Sequence, residues 1–272
     1  MDFGISTRCF GTTPLSPQLL DRIPASEFAH IELHITLPGF DYHNRSMLRE
    51  VAGWFRDNEM PAPSIHLPFE EDIFAERQID RQRFIDELKR CLEFGDLLPI
   101  RYAVLHWGGP GQKYSPAFFE YAYAAISMIQ SFSGMRVLIE TLENEIATFE
   151  RIGEFKTAAQ IADIGICYDT GHGEMEGPAD AIHLNDNNGD QRDDHLWPFQ
   201  GKRDWPALIE RLLQLSFDGP LVLEPRDDRF DHGVSARSRL RDLWDEAKDS
   251  IEEFRLKYKL FWQLGNFLNI AC

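Results

Sequence analysis

The sequence predicts an α/β protein, a single (β/α)8 barrel, on three observations. Eight short apolar segments run through nearly the whole chain: FGISTR, HIELHI, SIHLP, AVLHW, VLIET, IGICYD, AIHLND and LVLEP. Polar stretches with helical spacing alternate with them, which argues for parallel βα units and against a sandwich. The length of 272 residues suits one such barrel, which commonly runs to about 250 residues. No linker rich in Pro, Ser or Gly and no low-complexity segment divides the chain, so residues 1–272 read as one domain.

Taken in order, the first strand follows MD at the N-terminus with no basic region or long apolar run before it, so no leader is expected. Between the third and fourth strands, residues 79–96 place Phe84, Leu88 and Leu92 on one stripe of a helix. Residues 116–132 and 204–215 have the same character, with Asp204 as the N-cap of the latter. Between Asp169 and AIHLND lie only eleven residues, TGHGEMEGPAD, with three glycines and a proline. A parallel crossover takes about a dozen or more residues with its helix, so the sixth helix is expected to be shortened to one turn or lost. The stretch 236–265 is a long amphipathic run carrying Leu240, Leu243, Trp244, Ala247, Ile251, Phe254 and Tyr258. Residues 232–272 are therefore read as a C-terminal helical extension that clasps the barrel or a second copy, a homo-oligomer.

Composition narrows the function. Hydrophobic residues make up 43% and aromatics 12%, enough for a large core. The 28 basic and 45 acidic residues give a net charge of −17, a field that repels polyanions, so nucleic acid is not expected as a partner. Cys9, Cys91, Cys167 and Cys272 form no CxxC pair, and Cys167 lies in an apolar strand; a reduced, cytoplasmic protein is expected. No segment approaches the roughly 20 apolar residues of a membrane span.

Six of the eight segments carry a metal-ligand type at or near their end: His66, His106, Glu140, Asp169, His183 and Glu224. In a parallel barrel those ends converge on one face. Three carboxylates ending buried strands would repel one another and cost several kcal/mol each unless a cation held them together. Glu140, Asp169, His183 and Glu224 make a mixed N/O set suited to one divalent ion, Mn, Zn, Co or Mg. Trp107, Phe69, Trp197 and Phe199 flank these positions and read either as walls of a ligand pocket or as plain packing. The glycine-rich run 108–114 lacks a phosphate-loop pattern. Arg226 reads either as a contact to a substrate phosphate or carboxylate or, the expectation favoured here, as the partner of Asp227 or Asp228; His30, His43 and His232 are expected to be surface or packing residues, and His34, at the end of its strand, is read as a pocket or a structural residue.

The stretches DTGH (169–172), IHLND (182–186), D-x-H (193–195) and LVLEP (221–225) together resemble the xylose-isomerase-like barrel superfamily, over most of the chain. That group holds sugar isomerases and epimerases, inositol-catabolism enzymes and abasic-site nucleases of the endonuclease-four type. For the isomerase branch the resemblance implies one divalent metal on Glu140, Asp169, His183 and Glu224, with Glu140 and Glu224 transferring the proton through an enediolate. His66, His106, His172, His195 and Trp107 would then bind substrate, a sugar, sugar phosphate or inositol-derived ketone. For the nuclease branch it implies up to three zinc ions on those four residues plus His66, His106, His172, Asp193 and His195. A non-catalytic polyol-binding barrel is the remaining alternative. DDHLWPFQG resembles a D-x-H-x-x-P-G-x-G loop of the sugar branch, except that Phe199 stands where the first Gly is usual. Glu70, Glu71, Asp72, Asp190, Asp193, Asp194, Asp227 and Asp228 give the loops of the same face an acidic character that favours a small ligand over DNA.

Overall fold

The computed structural model describes residues 2–68, 75, 77–108, 113–115, 117–160, 163–189 and 193–268, with the side chains of residues 96 and 254–268 excepted. The expectations placed on Phe69, Glu70, Glu71, Asp72, Asp190, Cys272, most of the glycine-rich run and the Phe254 and Tyr258 side chains fall outside the described residues.

Eight parallel strands close a barrel in chain order: β1 (Phe3–Ser6), β2 (His30–His34), β3 (Ser64–His66), β4 (Tyr102–Leu105), β5 (Arg136–Glu140), β6 (Ile164–Asp169), β7 (Ala181–Leu184) and β8 (Leu221–Leu223). Each coincides with one of the apolar segments. Seven α-helices accompany them: α1 (Pro17–Leu20), α2 (Arg45–Asp57), α3 (Gln78–Leu92), α4 (Phe118–Ser133), α5 (Phe149–Ala159), α6 (Trp205–Gln214) and α7 (Phe230–Leu268). Phe84, Leu88 and Leu92 form the buried stripe of α3, and the Asp204 carboxylate accepts from Ala207 N–H at 3.0 Å to cap α6.

Strand side chains alternate, so each strand feeds two layers. Leu105, Ile139, Tyr168 and Ile182 face outward into the large core shared with the helices. Val104, Leu138, Cys167 and Ala181 face inward and fill the barrel interior as a second, smaller cluster. Two residues further along each strand, His106, Glu140, Asp169 and His183 share that inward face, directly above the apolar plug. Burial pushes the Cys167 thiol up to about 12, an inert structural thiol as expected.

No helix joins β6 to β7. The crossover is instead tied by Tyr168 Oη donating to the Gly173 carbonyl at 2.8 Å and by Arg203 donating to the same carbonyl at 2.7 Å. At the other extreme α7 is a single helix of 39 residues, about 60 Å long at 1.5 Å per residue. Ala236 and Leu240 in its first turns are buried in the outer core, with Leu243, Trp244 and Ala247 packed against it.

The loop after β7 carries Asp193 and His195, and it is organised by Asp186. This buried carboxylate accepts from the N–H groups of Asn187 at 2.9 Å, Phe199 at 3.0 Å and Arg203 at 3.0 Å, and from Trp205 Nε1 at 3.0 Å. Phe199 adopts φ +71°, a left-handed conformation that suits the glycine usual at that position. The ring is held by Arg239, whose guanidinium lies 3.7 Å from its centroid, and by Trp205. Trp197 is packing: it is buried and donates Nε1 to Asp227 at 2.7 Å.

Replacing Asp186 by Ala strands four donors in a buried loop. At roughly 1–3 kcal/mol for each unsatisfied buried donor, the variant is expected to unfold at least about 3 kcal/mol more easily than the parent in urea titrations. A loss below about 1 kcal/mol would contradict the role assigned to this carboxylate.

Candidate metal centre

The inward-facing strand ends gather a set of titratable side chains with almost no solvent exposure. Ligand atoms of Glu140, Asp169, His183 and Glu224 all lie within 4.8 Å of one another, and none of the four residues is more than 1% exposed. His183 Nδ1 faces Glu140 at 3.4 Å, Glu224 at 3.6 Å and Asp169 at 4.0 Å. Register explains the convergence: Asp169 of β6 pairs with His183 of β7, and His34 of β2 with His66 of β3. Glu140 ends β5 and Glu224 directly follows β8.

The donor set fits a divalent cation. Neither carboxylate oxygen of Glu224 has a hydrogen-bond partner, although the residue is fully buried. An ionised group left so would cost several kcal/mol. Around it, three imidazoles are fixed by backbone acceptors: His66 Nδ1 by Leu67 O at 3.0 Å, His172 Nδ1 by Thr141 O at 2.9 Å and His195 Nδ1 by Glu224 O at 2.8 Å. A carbonyl can only accept, so each Nδ1 carries the proton and each Nε2 is turned toward a carboxylate. His66 and His106 present Nε2 to the same Glu140 oxygen at 2.9 and 2.8 Å. His195 and His172 present theirs to Asp193 at 2.8 and 3.4 Å, and His172, Asp193 and His195 form a second group of ligand atoms within 4.8 Å.

Without a cation, protons take its place. Burial works against charge on His172, but Asp169 and its carboxylate neighbours outweigh it and push the imidazole up to about 10. His183 is likewise raised, with burial opposed by Cys167, Glu32 and the other carboxylates. Glu140 falls well below the usual carboxylate range, because His106 and His183 outweigh its burial. Asp169 shifts upward through burial, although Asn185 donates to both of its oxygens at 2.9 and 2.8 Å.

The structure thus brings together all nine residues of the larger ligand set. It does not bring Trp107 to them. That ring is fully buried on the outer side of β4, edge-on to Phe118 and Phe155. His34 stands beside the centre, 3.8 Å from Glu224. Arg226 does not pair with Asp227 or Asp228 as expected. It bonds Asp193 at 2.9 Å, because Arg229 holds Asp227 at 2.5 Å and Arg22 holds Asp228 at 2.6 Å. These pairs also offset much of the acidic character expected of the described loops.

One residue was missed by sequence reasoning. Glu32, in the middle of β2, is buried and accepts from Ser64 Oγ at 2.7 Å. It also lies 3.2 Å from His183 Nε2. It therefore fixes the His183 ring through Nε2, with Nδ1 turned toward Glu140, Glu224 and Asp169. The alternation His30, Glu32, His34 in an otherwise apolar segment was the available signal, since period two places all three on the inner face.

A family model described as a xylose isomerase-like TIM barrel matches residues 20–255. Among solved structures, the chain is similar to a D-tagatose 3-epimerase-like protein, with TM-score 0.76 and 17% identity, covering 92% of this chain and 100% of that one. It is also similar to the IolI protein with a bound zinc atom, with TM-score 0.71 and 18% identity over 91% of this chain and 99% of that one. At such identities the likeness is one of fold. The protein y4fM of Sinorhizobium fredii is 35% identical over 79 residues. The match covers 25% of each chain, so this chain spans about a quarter of the length of that curated relative.

Two outcomes follow from the geometry. Glu32→Gln is expected to weaken divalent-metal binding by about 10–100-fold, read by chelator competition, with little change in the metal-free melting temperature; unchanged affinity would remove Glu32 from the centre. The second concerns pH after chelation. His172 has a folded pKa raised above the ordinary 6.5 of a histidine to about 10, so the stability it contributes is complete below about pH 6.5 and is lost as the pH rises toward 10. The melting temperature of the chelated protein should accordingly fall between pH 6.5 and 9, and a flat or rising trend would contradict the pairing.

Proposed function

We propose that this chain, which belongs to the xylose isomerase-like TIM barrel family, is a divalent-metal-dependent isomerase or epimerase of a small sugar or polyol-derived ketone. The observation that carries the reading is the pair of buried glutamates, Glu140 and Glu224, reaching the same His183 nitrogen at 3.4 and 3.6 Å. Glu140, Asp169, His183 and Glu224 would hold the ion. When bound there, a divalent cation supplies Lewis acidity toward a substrate carbonyl and its neighbouring hydroxyl.

The chain's own groups do the rest. Glu224, with both oxygens free of hydrogen bonds, is the carboxylate open to take a proton from the carbon next to the carbonyl. Glu140 is contacted by His66, His106 and His183; in an epimerisation it would take a proton from one of these imidazoles and pass it to the carbon, while in an isomerisation Glu224 would give back the proton it took. His172, anchored at Nδ1 by Thr141, directs Nε2 toward the rim, where it would orient a substrate oxygen. The apolar plug of Val104, Leu138, Cys167 and Ala181 closes the floor and keeps water from entering beneath the reacting atoms.

A second reading has a specific observation behind it. The separate group His172, Asp193 and His195, together with His66 and His106 on Glu140, would suit a cluster of up to three zinc ions and hydrolysis of a phosphodiester. Metal analysis of protein purified without chelator separates the two: about one ion per chain supports the isomerase, and about three with incision of an abasic duplex supports the hydrolase.

The proposal is tested by solvent deuterium incorporation into a panel of ketoses and cyclic polyol ketones. Glu140→Gln and Glu224→Gln are each expected to reduce exchange by about a thousandfold, within the range of a lost general acid or base, while circular dichroism stays unchanged. Exchange at near-parental rates in either variant with metal retained would sink the two-glutamate mechanism.

A further inference from the structure

Beside the carboxylate centre a separate cavity of about 250 Å3 opens where β1 and β8 close the barrel. Its lining among the described residues contains Arg8 and Arg226 and no Asp or Glu, in a chain with 45 acidic and 28 basic residues. Arg8 comes from the turn after β1, and Arg226 from the loop that follows Glu224. The cavity adjoins the centre through His34, which lines it and stands 3.8 Å from Glu224.

The hydrogen bonds around His34 determine what the wall offers. Arg8 Nη1 lies 3.1 Å from His34 Nε2, and a guanidinium can only donate. His34 Nε2 is therefore the acceptor, the ring proton is on Nδ1, and Nδ1 donates to Thr36 Oγ1 at 2.8 Å. Thr7 Oγ1 accepts from the His34 backbone N–H at 2.8 Å. Both hydroxyls have thus been used as acceptors and keep their own proton to give. Arg226 shares Asp193 at 2.9 Å, which leaves most of its five N–H donors for another acceptor. The cavity wall near the centre is accordingly a concentration of donors, and Phe10, Leu15 and Phe40 line it further on. An apolar backing excludes water and strengthens charge-assisted bonds to an anion.

We propose that this cavity is an anion subsite in which Arg8 and Arg226, helped by Thr7 and Thr36, recognise a phosphate or carboxylate carried by the substrate. The link to the reacting carbons rests on the isomerase reading above; the anion site itself does not. A substrate bound this way would keep its anionic end at the β1–β8 seam and its carbonyl end at Glu140 and Glu224, one imidazole away. Arg226 is half exposed at the mouth of the cavity, so the two guanidinium groups favour an anion over a neutral sugar by charge-assisted bonds, and a cavity of about 250 Å3 takes a terminal group.

The test uses metal-free protein, so that anions have no cation to bind. Inorganic phosphate and acetate are titrated by calorimetry at constant ionic strength, with chloride as the control, into the parent and into Arg8→Gln, Arg226→Gln and Arg8→Lys. Saturable binding of one anion, weakened about tenfold or more in each Gln variant and partly restored in Arg8→Lys, is expected. Phosphate as the tighter ligand assigns a sugar phosphate, and acetate assigns a sugar acid. Arg226 is half exposed, so its variant decides the matter if Arg8→Gln does not fold. Binding of neither anion, or binding unchanged in the Gln variants, overturns the subsite. Turnover of neutral ketoses without anion binding removes only the subsite, whereas anion binding without turnover of any sugar removes only the isomerase.

Discussion

Burying four carboxylates, Glu32, Glu140, Asp169 and Glu224, at 1% exposure or less is the constraint to which the upper half of the barrel answers. Each such charge costs several kcal/mol to desolvate unless it is matched. The match is distributed over every layer of the rim: Ser64 on Glu32, Asn185 on Asp169, and imidazoles on Glu140 from three strands and strand ends. Backbone carbonyls of Leu67, Thr141 and Glu224 are committed to holding those imidazoles, so even the first residues past the strands have their conformation set by charge. Below this level Val104, Leu138, Cys167 and Ala181 pack together, beside the buried His30 and Ser64 on the inner faces of β2 and β3.

This arrangement decides what could be read from the sequence. The strands were legible because parallel strands buried on both faces are continuous apolar runs, and the ligand types were legible because they end those runs. The missing sixth helix was legible from chain length alone. Glu32 escaped because it interrupts its strand, HIELH, instead of ending it. Arg226 escaped for another reason: pairing with the nearest acids in sequence ignored that Arg22 and Arg229 reach Asp228 and Asp227 from elsewhere. Trp107 followed a ligand in sequence but faces the opposite side of its strand, which period two dictates.

Phe199 illustrates a local rule yielding to a tertiary one. A non-glycine residue at φ +71° carries a strain of about 1–2 kcal/mol, and the turn is nonetheless retained. Asp186 collects the loop's N–H donors on one carboxylate, while Arg239 and Trp205 hold the ring.

The crossover between β6 and β7 has a use as an entry point into the barrel wall. With no helix there, the segment from Glu174 to Gly177 has no amphipathic stripe to preserve, and Glu174 and Glu176 are exposed. Its anchor, the Gly173 carbonyl held by Tyr168 and Arg203, lies just ahead of that segment. Met175, between Glu174 and Glu176, is buried in the outer core, so a peptide or small domain inserted after Glu176 would extend into solvent and leave Met175 seated. In descent as in engineering, this is the part of the ring where a cap over the pocket could be acquired in one step.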